Sequence, residues 1–269
     1  MKHGDEAWRR EPHLLRQRIR QGLWTGSTSG LCPGYAQANL VILPREQAFD
    51  FLLFCQRNPK PCPLLEVTEP GQPLLEQLAP GADLRSDLPG YRVFRDGELV
   101  EQCQDITSWW RDDLVGFLLG CSYTFDAVLA QAGLELPHVL EGREPAIYTT
   151  NLPTRPAGVF HGPLVVSARA IPGRRVSEVV LITSRFDKTH GAPVHVGDPA
   201  VLGISDLGRS EYGGSALTLR TGEVPVFWAC GVTPQAVALA SRVPFMITHE
   251  PGHMLVSDLT VQEVIAGKP

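Results

Sequence analysis

Short apolar runs that end at proline or glycine recur along the chain and predict buried strands. The runs at 38–43 and 224–229 are the clearest, and both are too short to cross a membrane. Pro44 ends the first run and begins a helix, because apolar residues then recur at helical spacing. Thr233-Pro234 begins another helix after the second run. The pattern therefore alternates strands with helices.

Other segments extend this alternation. The pattern predicts a first helix at 13–22, further strands at 62–67, 146–149 and 163–169, and a passage from helix to strand at 176–183. Asp96-Gly97 predicts a tight hairpin between 91–95 and 98–100, which we expect to decorate the fold. Residues 109–119 suit either an amphipathic helix or a helical turn that leads into a strand.

Two stretches of the chain resemble each other. Residues 121–128, C-S-Y-T-F-D-A-V, match residues 230–237, C-G-V-T-P-Q-A-V, at Cys, Thr, Ala and Val. Chance similarity between two helix starts explains the match about as well as an internal repeat does. We therefore expect one domain, 1–269, of mixed α/β class, with mixed sheets and two interleaved subdomains around a central cleft. A true repeat would make the subdomains duplicates, each offering a helix N-terminus that suits a carboxylate.

Composition narrows the classes of function. The chain has 269 residues, is 43% hydrophobic and carries a net charge of −5, so it can build a large core and offers nucleic acid no basic face. Six cysteines without C-x-x-C spacing, and no signal-type apolar segment, predict reduced thiols in a cytoplasmic protein without a membrane anchor. The sequence specifies no interface, so a homo-oligomer is left open.

The densest polar cluster lies at 183–198 and contains Arg185, His190, His195 and Asp198. Arginine can clamp a carboxylate, and histidine can move a proton near neutral pH. For any one of these residues an ordinary surface or structural role is about as good an explanation, but less so for the whole cluster.

His249-Glu-Pro-Gly-His253 matches the H-E-x-x-H pattern of zinc proteases. That pattern requires both histidines on one helix, and Pro251-Gly252 between them makes a helix a poor interpretation. We predict no cofactor, and leave open a divalent metal held together with Asp198 or Glu250. Cys121 and Cys230 precede predicted helix starts, where a lowered thiol pKa would favour a nucleophile, although buried structural cysteines are commonplace.

Long strings of the sequence resemble one family. They include N-L-V-I-L-P at 39–44, F-C-Q-R-N-P-K-P-C-P-L-L at 54–65, H-G-A-P-V-H-V-G-D-P at 190–199 and F-W-A-C-G-V-T-P-Q at 227–235. In order and over about residues 20–260, they resemble the bacterial proteins named "putative hydro-lyase", whose fold is shared by the D-glutamate cyclase domain. The resemblance implies a carbon–oxygen lyase of amino acid metabolism that dehydrates D-glutamate to 5-oxo-D-proline.

Such a reaction needs a proton acceptor, a proton donor and groups that hold a small carboxylate. The motifs suggest the catalytic residues His190, His195, His249, His253 and Asp198. They suggest the substrate-binding residues Arg185, Arg169, Asn39, Asn151, Cys230 and Thr233. This hypothesis requires the loops of His195 and His253 to meet in one pocket. The alternatives are a hydro-lyase for another hydroxy or amino acid, and a non-catalytic protein that binds small carboxylates.

Overall fold

A computed structural model describes residues 6–214 and 216–267. Its α-helices are α1 Pro12–Arg20, α2 Arg45–Arg57, α3 Tyr123–Gln131, α4 Pro137–Leu140, α5 Val176–Thr183, α6 Thr233–Ser241 and α7 Val261–Ile265. Its strands are β1 Tyr35–Pro44, β2 Leu64–Val67, β3 Tyr91–Arg95, β4 Glu98–Cys103, β5 Leu114–Gly120, β6 Ala146–Pro153, β7 Pro163–Pro172, β8 His195–Val196, β9 Glu223–Ala229, β10 Phe245–His249 and β11 Leu255–Thr260.

The larger sheet has seven strands in the order β2-β5-β1-β10-β3-β4, with β11 also paired to β1. Strand β1 is its centre, and after its first residue every position of β1 is buried, as the apolar run predicts. Of the two interpretations of residues 109–119, the helical turn that leads into a strand is confirmed, since a single 3₁₀ turn at Thr107–Trp109 precedes β5. The smaller sheet has four strands in the order β6-β7-β9-β8.

The mixed α/β class is confirmed, but the expectation of mixed sheets is wrong. Every pairing between described strands is antiparallel. Two parallel neighbouring strands are usually connected by a helix that leads back into the same sheet. Here the helices that follow β5 and β9 lead into the other sheet instead. In the described part of the chain, no helix is both long and apolar enough to span a membrane.

The hairpin of β3 and β4 does not decorate the fold. The turn itself is as predicted, with positive φ at Asp96 and Gly97. Strand β3, however, pairs with β10 along its whole length, so it lies inside the sheet and only β4 forms the edge. Local turn chemistry predicted the hairpin, but the position of the hairpin depends on a partner about 150 residues away in the chain.

Helices α3 and α6 exchange places between the two sheets. Helix α3 follows β5 of the larger sheet, yet its Phe125 and Leu129 pack with Val226 and Trp228 of the smaller one. Helix α6 follows β9 of the smaller sheet, on which its Ala236 still packs, and it reaches the larger sheet through Val237 and Ala238. The two halves are therefore interleaved.

The resemblance between residues 121–128 and 230–237 extends to hydrogen bonds. The Thr124 hydroxyl accepts a bond from the Gln37 N–H at 3.1 Å, and the Thr233 hydroxyl accepts one from the Val165 N–H at 3.2 Å. The N–H of Cys121 donates to the Gln37 carbonyl, and that of Cys230 donates to the Val165 carbonyl. Each helix start is thus anchored to the strand beside it in the same way.

Candidate functional site

Arg92 lies near the junction of the two sheets, and few groups of the protein balance its positive charge. It lies on β3, where it is half-buried, and its guanidinium donates one bond of 3.2 Å to the amide oxygen of Gln235. Its Nε is buried without a partner, and no carboxylate lies within 4 Å among the described residues. Burial lowers the pKa of Arg92, while the charge of Glu250 opposes that shift. Such a guanidinium is suited to a carboxylate from outside the chain.

Arg169 is the opposite case. It is 2% exposed and makes a bidentate pair with Asp126, both bonds being 2.8 Å. It also donates to the hydroxyls of Ser167 and Ser122, so four of its five N–H groups are used. Burial raises the pKa of Asp126, but Arg169 and His138 outweigh it and lower that pKa to about 2. This geometry argues against Arg169 as the predicted carboxylate ligand.

Arg169 and Arg92 form hydrogen bonds with residues at equivalent positions of α3 and α6. Asp126 is five residues after Cys121, and Gln235 is five residues after Cys230. In one half the helix therefore offers its arginine a carboxylate, and in the other it offers a neutral amide. In the second half the hydrogen-bond partner of the arginine is therefore neutral, and the charge of Glu250 acts on Arg92 only from a greater distance than an ion pair.

We call the region between the two sheets the seam. It is lined by Asn39, Cys121, Arg169 and Cys230. Asn39 is buried and donates to the Gly120 carbonyl at 2.8 Å. A Cβ at position 231 would lie 2.1 Å from the Asn39 side chain, so only glycine allows this close approach. Asn39 is a predicted binding residue, and its amide nitrogen is engaged with backbone oxygens.

The thiols at the seam are not activated. Burial raises the pKa of Cys121 to about 12 and that of Cys230 to about 11. The helix starts contribute in the expected direction, through N–H groups of Tyr123 and Val232, but burial outweighs them. The expectation of a lowered thiol pKa is therefore wrong, and both cysteines are thiols at neutral pH.

His190 carries a ring nitrogen that is free to accept a proton. Its Nδ1 lies 2.7 Å from the Lys60 carbonyl, which can only accept, so Nδ1 holds the hydrogen and Nε2 holds a lone pair. That Nε2 is buried and has no hydrogen-bond partner among the described residues. Burial lowers the pKa of His190 to about 4, so the ring is neutral near pH 7. Its φ of 82° is unusual outside glycine and asparagine.

The buried histidines make the fold sensitive to acid. His190 and His249 both have a pKa of about 4 against an ordinary value of 6.5, so unfolding takes up protons between these values. Stability from these rings is present above pH 6.5 and is lost as the pH falls toward 4, on the order of 2 kcal/mol for each ring by pH 5. Urea unfolding at pH 7.5 and pH 5 should show that His190→Asn, which tolerates positive φ, loses less stability than the wild type. Equal losses in both proteins would contradict this assignment.

His249 lies in the larger sheet where β10 and β11, the two strands that pair with one side of β1, diverge. Strand β1 pairs with β10 at Val41 and Ile42 and with β11 at Tyr35–Ala38, and Leu40 lies between these contacts. The His249 Nδ1 lies 3.2 Å from the Leu40 N–H and 3.3 Å from its carbonyl, while its Nε2 is buried without a partner. Its predicted catalytic role gains no support from this position, which is that of a structural bridge.

His253 follows β10 on a turn, so the H-E-x-x-H residues form no helix. Its Nδ1 lies 2.9 Å from the Pro251 carbonyl and its Nε2 lies 3.2 Å from the Thr25 carbonyl. Both partners are carbonyl oxygens, which only accept, so a neutral ring can donate to one of them at a time. In the described part of the chain, no three His, Cys, Asp or Glu side chains are placed to hold a metal ion together.

The structure does not bring His195 and His253 together. His195 lies on β8, at the edge of the smaller sheet, where its ring faces Phe227 and its Nε2 lies 2.8 Å from the Asp198 carbonyl. The Asp198 carboxylate caps the 3₁₀ turn that follows it. Arg185 and Asn151 are exposed, and Asn151 contacts Val201 at 3.5 Å. Local sequence grouped these residues, but the strand pairing carries them away from the turn of His253.

Sequence reasoning missed Arg92, Gln235 and Tyr212. Tyr212 is half-buried, and its hydroxyl accepts a bond of 3.4 Å from Thr149. Burial raises the pKa of Tyr212, and the bond with Thr149 and the charge of Arg92 oppose that shift. Arg92 stood in a segment that we expected at the surface, and Gln235 appeared only as one letter of the repeat. No local pattern marks either residue.

These features define a mixed α/β protein in which two antiparallel sheets exchange helices and an unpaired arginine lies beside the seam. The family described as D-glutamate cyclase matches residues 115–258. Proteins named "Putative hydro-lyase" match nearly the whole chain. The one from Stutzerimonas stutzeri is 55% identical and covers 94% of this chain and 95% of its own. The one from Rubrobacter xylanophilus is 60% identical and covers 90% and 93%.

The chain belongs to the D-glutamate cyclase family, and within it resembles the bacterial hydro-lyase group. A further relative, from Bordetella pertussis, is 55% identical over 92% of this chain and 89% of its own. Among solved structures, a nitrogen repressor-like protein from Methanococcus jannaschii covers 90% of this chain and 96% of its own at 7% identity. Its TM-score is 0.38, too low to support an argument.

Proposed function

We propose that the protein is a carbon–oxygen lyase that dehydrates D-glutamate to 5-oxo-D-proline, or acts on a closely related small carboxylic acid. Membership of the D-glutamate cyclase family supports the reaction class. One structural observation supports an acidic substrate, namely the half-buried Arg92 guanidinium whose only hydrogen-bond partner among the described residues is the neutral amide of Gln235. A substrate carboxylate would supply the charge that Asp126 supplies to Arg169 in the other half.

The reaction places two demands on the protein. The nitrogen must lose two protons as it bonds to the γ-carbon, and one γ-oxygen must gain them and leave as water. Substrate and product then carry the same charge, so no oxidant or other co-reactant is consumed. In this proposal His190 takes the first proton at Nε2 and returns it to the departing oxygen, because Nδ1 holds the hydrogen and Nε2 carries the lone pair. Arg92 would hold the other carboxylate and keep the flexible chain folded for ring closure.

Product analysis tests this function directly. The purified protein is incubated with D- and L-glutamate and with a panel of amino and hydroxy acids, with and without added divalent metal, and water loss is followed by mass spectrometry. We expect D-glutamate to lose one water. If no acid is dehydrated but several raise the melting temperature, the protein is a carboxylate-binding protein instead.

A further inference from the structure

Helix α2 packs on the larger sheet with one face and exposes apolar residues on the other. Its inner residues Phe51, Phe54 and Cys55 are buried in the core. On the outer face, Phe49 is 72% exposed and Leu52 is 39% exposed. Single exposed apolar residues are ordinary, but a contiguous group of them marks a surface that binds a partner.

The apolar residues on the outer face of α2 are contiguous. Leu52 and the partly exposed Leu53 follow Phe49 by three and four residues. Side chains at these spacings are neighbours on a helix surface, so the two leucines lie on either side of Phe49, one turn further along. We call these three residues the α2 patch.

The loop at 155–160 continues the α2 patch beside the helix. The side chain of Asn58 and the backbone of Arg155 exchange two hydrogen bonds of 2.8 Å, and Gly158 packs against the Asp50 side chain. In this loop Val159 is 48% exposed. Helix α2 is about 20 Å long and about 10 Å wide, whereas a stable interface takes about 800 Å² from each partner. The loop therefore adds area that the helix alone lacks.

Opposite charges lie at the two ends of the α2 patch. Glu46 is in the first turn of α2 and Arg57 is in the last. They are eleven residues apart, or about three helical turns, so both lie on the same side of the outer face but too far apart to pair with each other. Arg57 donates one N–H to the Pro156 carbonyl, and neither charge has an ion-pair partner among the described residues.

We propose that the α2 patch binds the α2 patch of a second copy of this chain, with the two helices antiparallel about a two-fold axis. The axis places the first turn of each helix beside the last turn of the other, so Glu46 of one copy faces Arg57 of the second copy, and this contact occurs twice. The surface is thus complementary to itself in charge as well as in apolar character. The proposal uses no residue of the carboxylate site at Arg92 and does not rest on the proposed function.

Replacing an apolar residue of the α2 patch tests the surface. Sedimentation velocity from about 100 µM down to about 1 µM should show a wild-type dimer that dissociates reversibly on dilution. Phe49→Asp should raise the dissociation constant at least about 100-fold, because Phe49 is at the centre of the contact. Leu181→Asp is the matched control, since Leu181 is 70% exposed on α5, and it should leave the dissociation constant unchanged.

Exchanging the charges tests the antiparallel arrangement. Glu46→Arg and Arg57→Glu should each raise the dissociation constant at least about tenfold, because like charges then face each other twice. An equimolar mixture of these two variants should associate as tightly as the wild type, since every arginine then faces a glutamate of the other chain. The double variant Glu46→Arg/Arg57→Glu should recover the dimer in the same way.

Three results would overturn the proposal. They are a wild type that is monomeric at about 100 µM, a dimer that Phe49→Asp leaves intact, and single charge variants that do not associate when mixed. A monomer that binds some other protein or a membrane through α2 belongs to the first of these results. Circular dichroism should show the same fold in every variant, because the replaced side chains are exposed.

Discussion

Replacing Arg92 by methionine is expected to lower kcat/KM for the acidic substrate about 100-fold, since truncating one partner of a buried charge pair costs about 2–5 kcal/mol. The unfolding free energy should stay unchanged or rise. This is because Arg92 is half-buried, has an unpartnered Nε and makes one bond to a neutral amide, so the free protein loses little when the guanidinium is removed. Activity and stability would therefore change independently or in opposite directions.

A matched control is available on the same strand. Arg95→Met removes an exposed arginine from the other face of β3, where its guanidinium lies 5.1 Å from the Trp109 ring centre. This variant should retain near-normal kcat/KM. Steady-state kinetics and urea unfolding of both variants test whether Arg92 binds the substrate carboxylate. The carboxylate role of Arg92 is wrong if Arg92→Met keeps full activity, or if it loses activity only because it unfolds.

Replacing Arg169 by methionine should have the opposite effect on stability. Removing one partner of a buried ion pair leaves the other charge uncompensated and costs about 3–5 kcal/mol. Asp126, which is 2% exposed, would then keep His138 as its one polar side-chain partner in the described part of the chain. Because Arg169 helps to hold the pKa of Asp126 down to about 2, that pKa should rise in the variant. Urea unfolding at pH 7 measures the loss.

A second substitution separates charge from packing. Arg169→Met combined with Asp126→Asn removes both charges and keeps an amide that can bond to His138. This double variant should recover at least half of the lost stability, since the penalty of the single variant arises mainly from the orphaned carboxylate. A single variant within about 1 kcal/mol of the wild type would refute the structural role of the pair.

The two arginines contact equivalent helix positions but have different partners. At equivalent helix positions, Asp126 compensates Arg169 and holds the halves together, whereas Gln235 leaves Arg92 with its charge. We therefore propose that the same residue type is a structural bridge at position 169 and a ligand-binding group at position 92, and that the difference lies in its partner. The proposed function depends on this contrast more than on the polar loop at 183–198.

Much of the fold could be predicted from local pattern. The buried run of β1, the helix after Pro44, the turn at Asp96-Gly97 and the helix after Thr233-Pro234 all occur where the sequence places them. Strand β11 was not predicted, and residues 107–119 became a short turn followed by a strand because pairing with β1 and β2 decided between two local interpretations. The site was harder to predict from the sequence. His195 and Asp198 are close to His190 along the chain, but they lie at the edge of the smaller sheet.

The sequence by itself determined the class of fold and the family, because hydrophobic period, turn residues and long shared strings are local properties of the chain. The equivalence of the two cysteine-to-helix segments was one of two interpretations until the structure showed the same hydrogen bonds at both. Only the tertiary structure decided that α3 and α6 exchange sheets, and hence that Asp126 meets Arg169 while Gln235 meets Arg92. The charge state and availability of a side chain depend on burial and on partners far away in the chain, which no local pattern records.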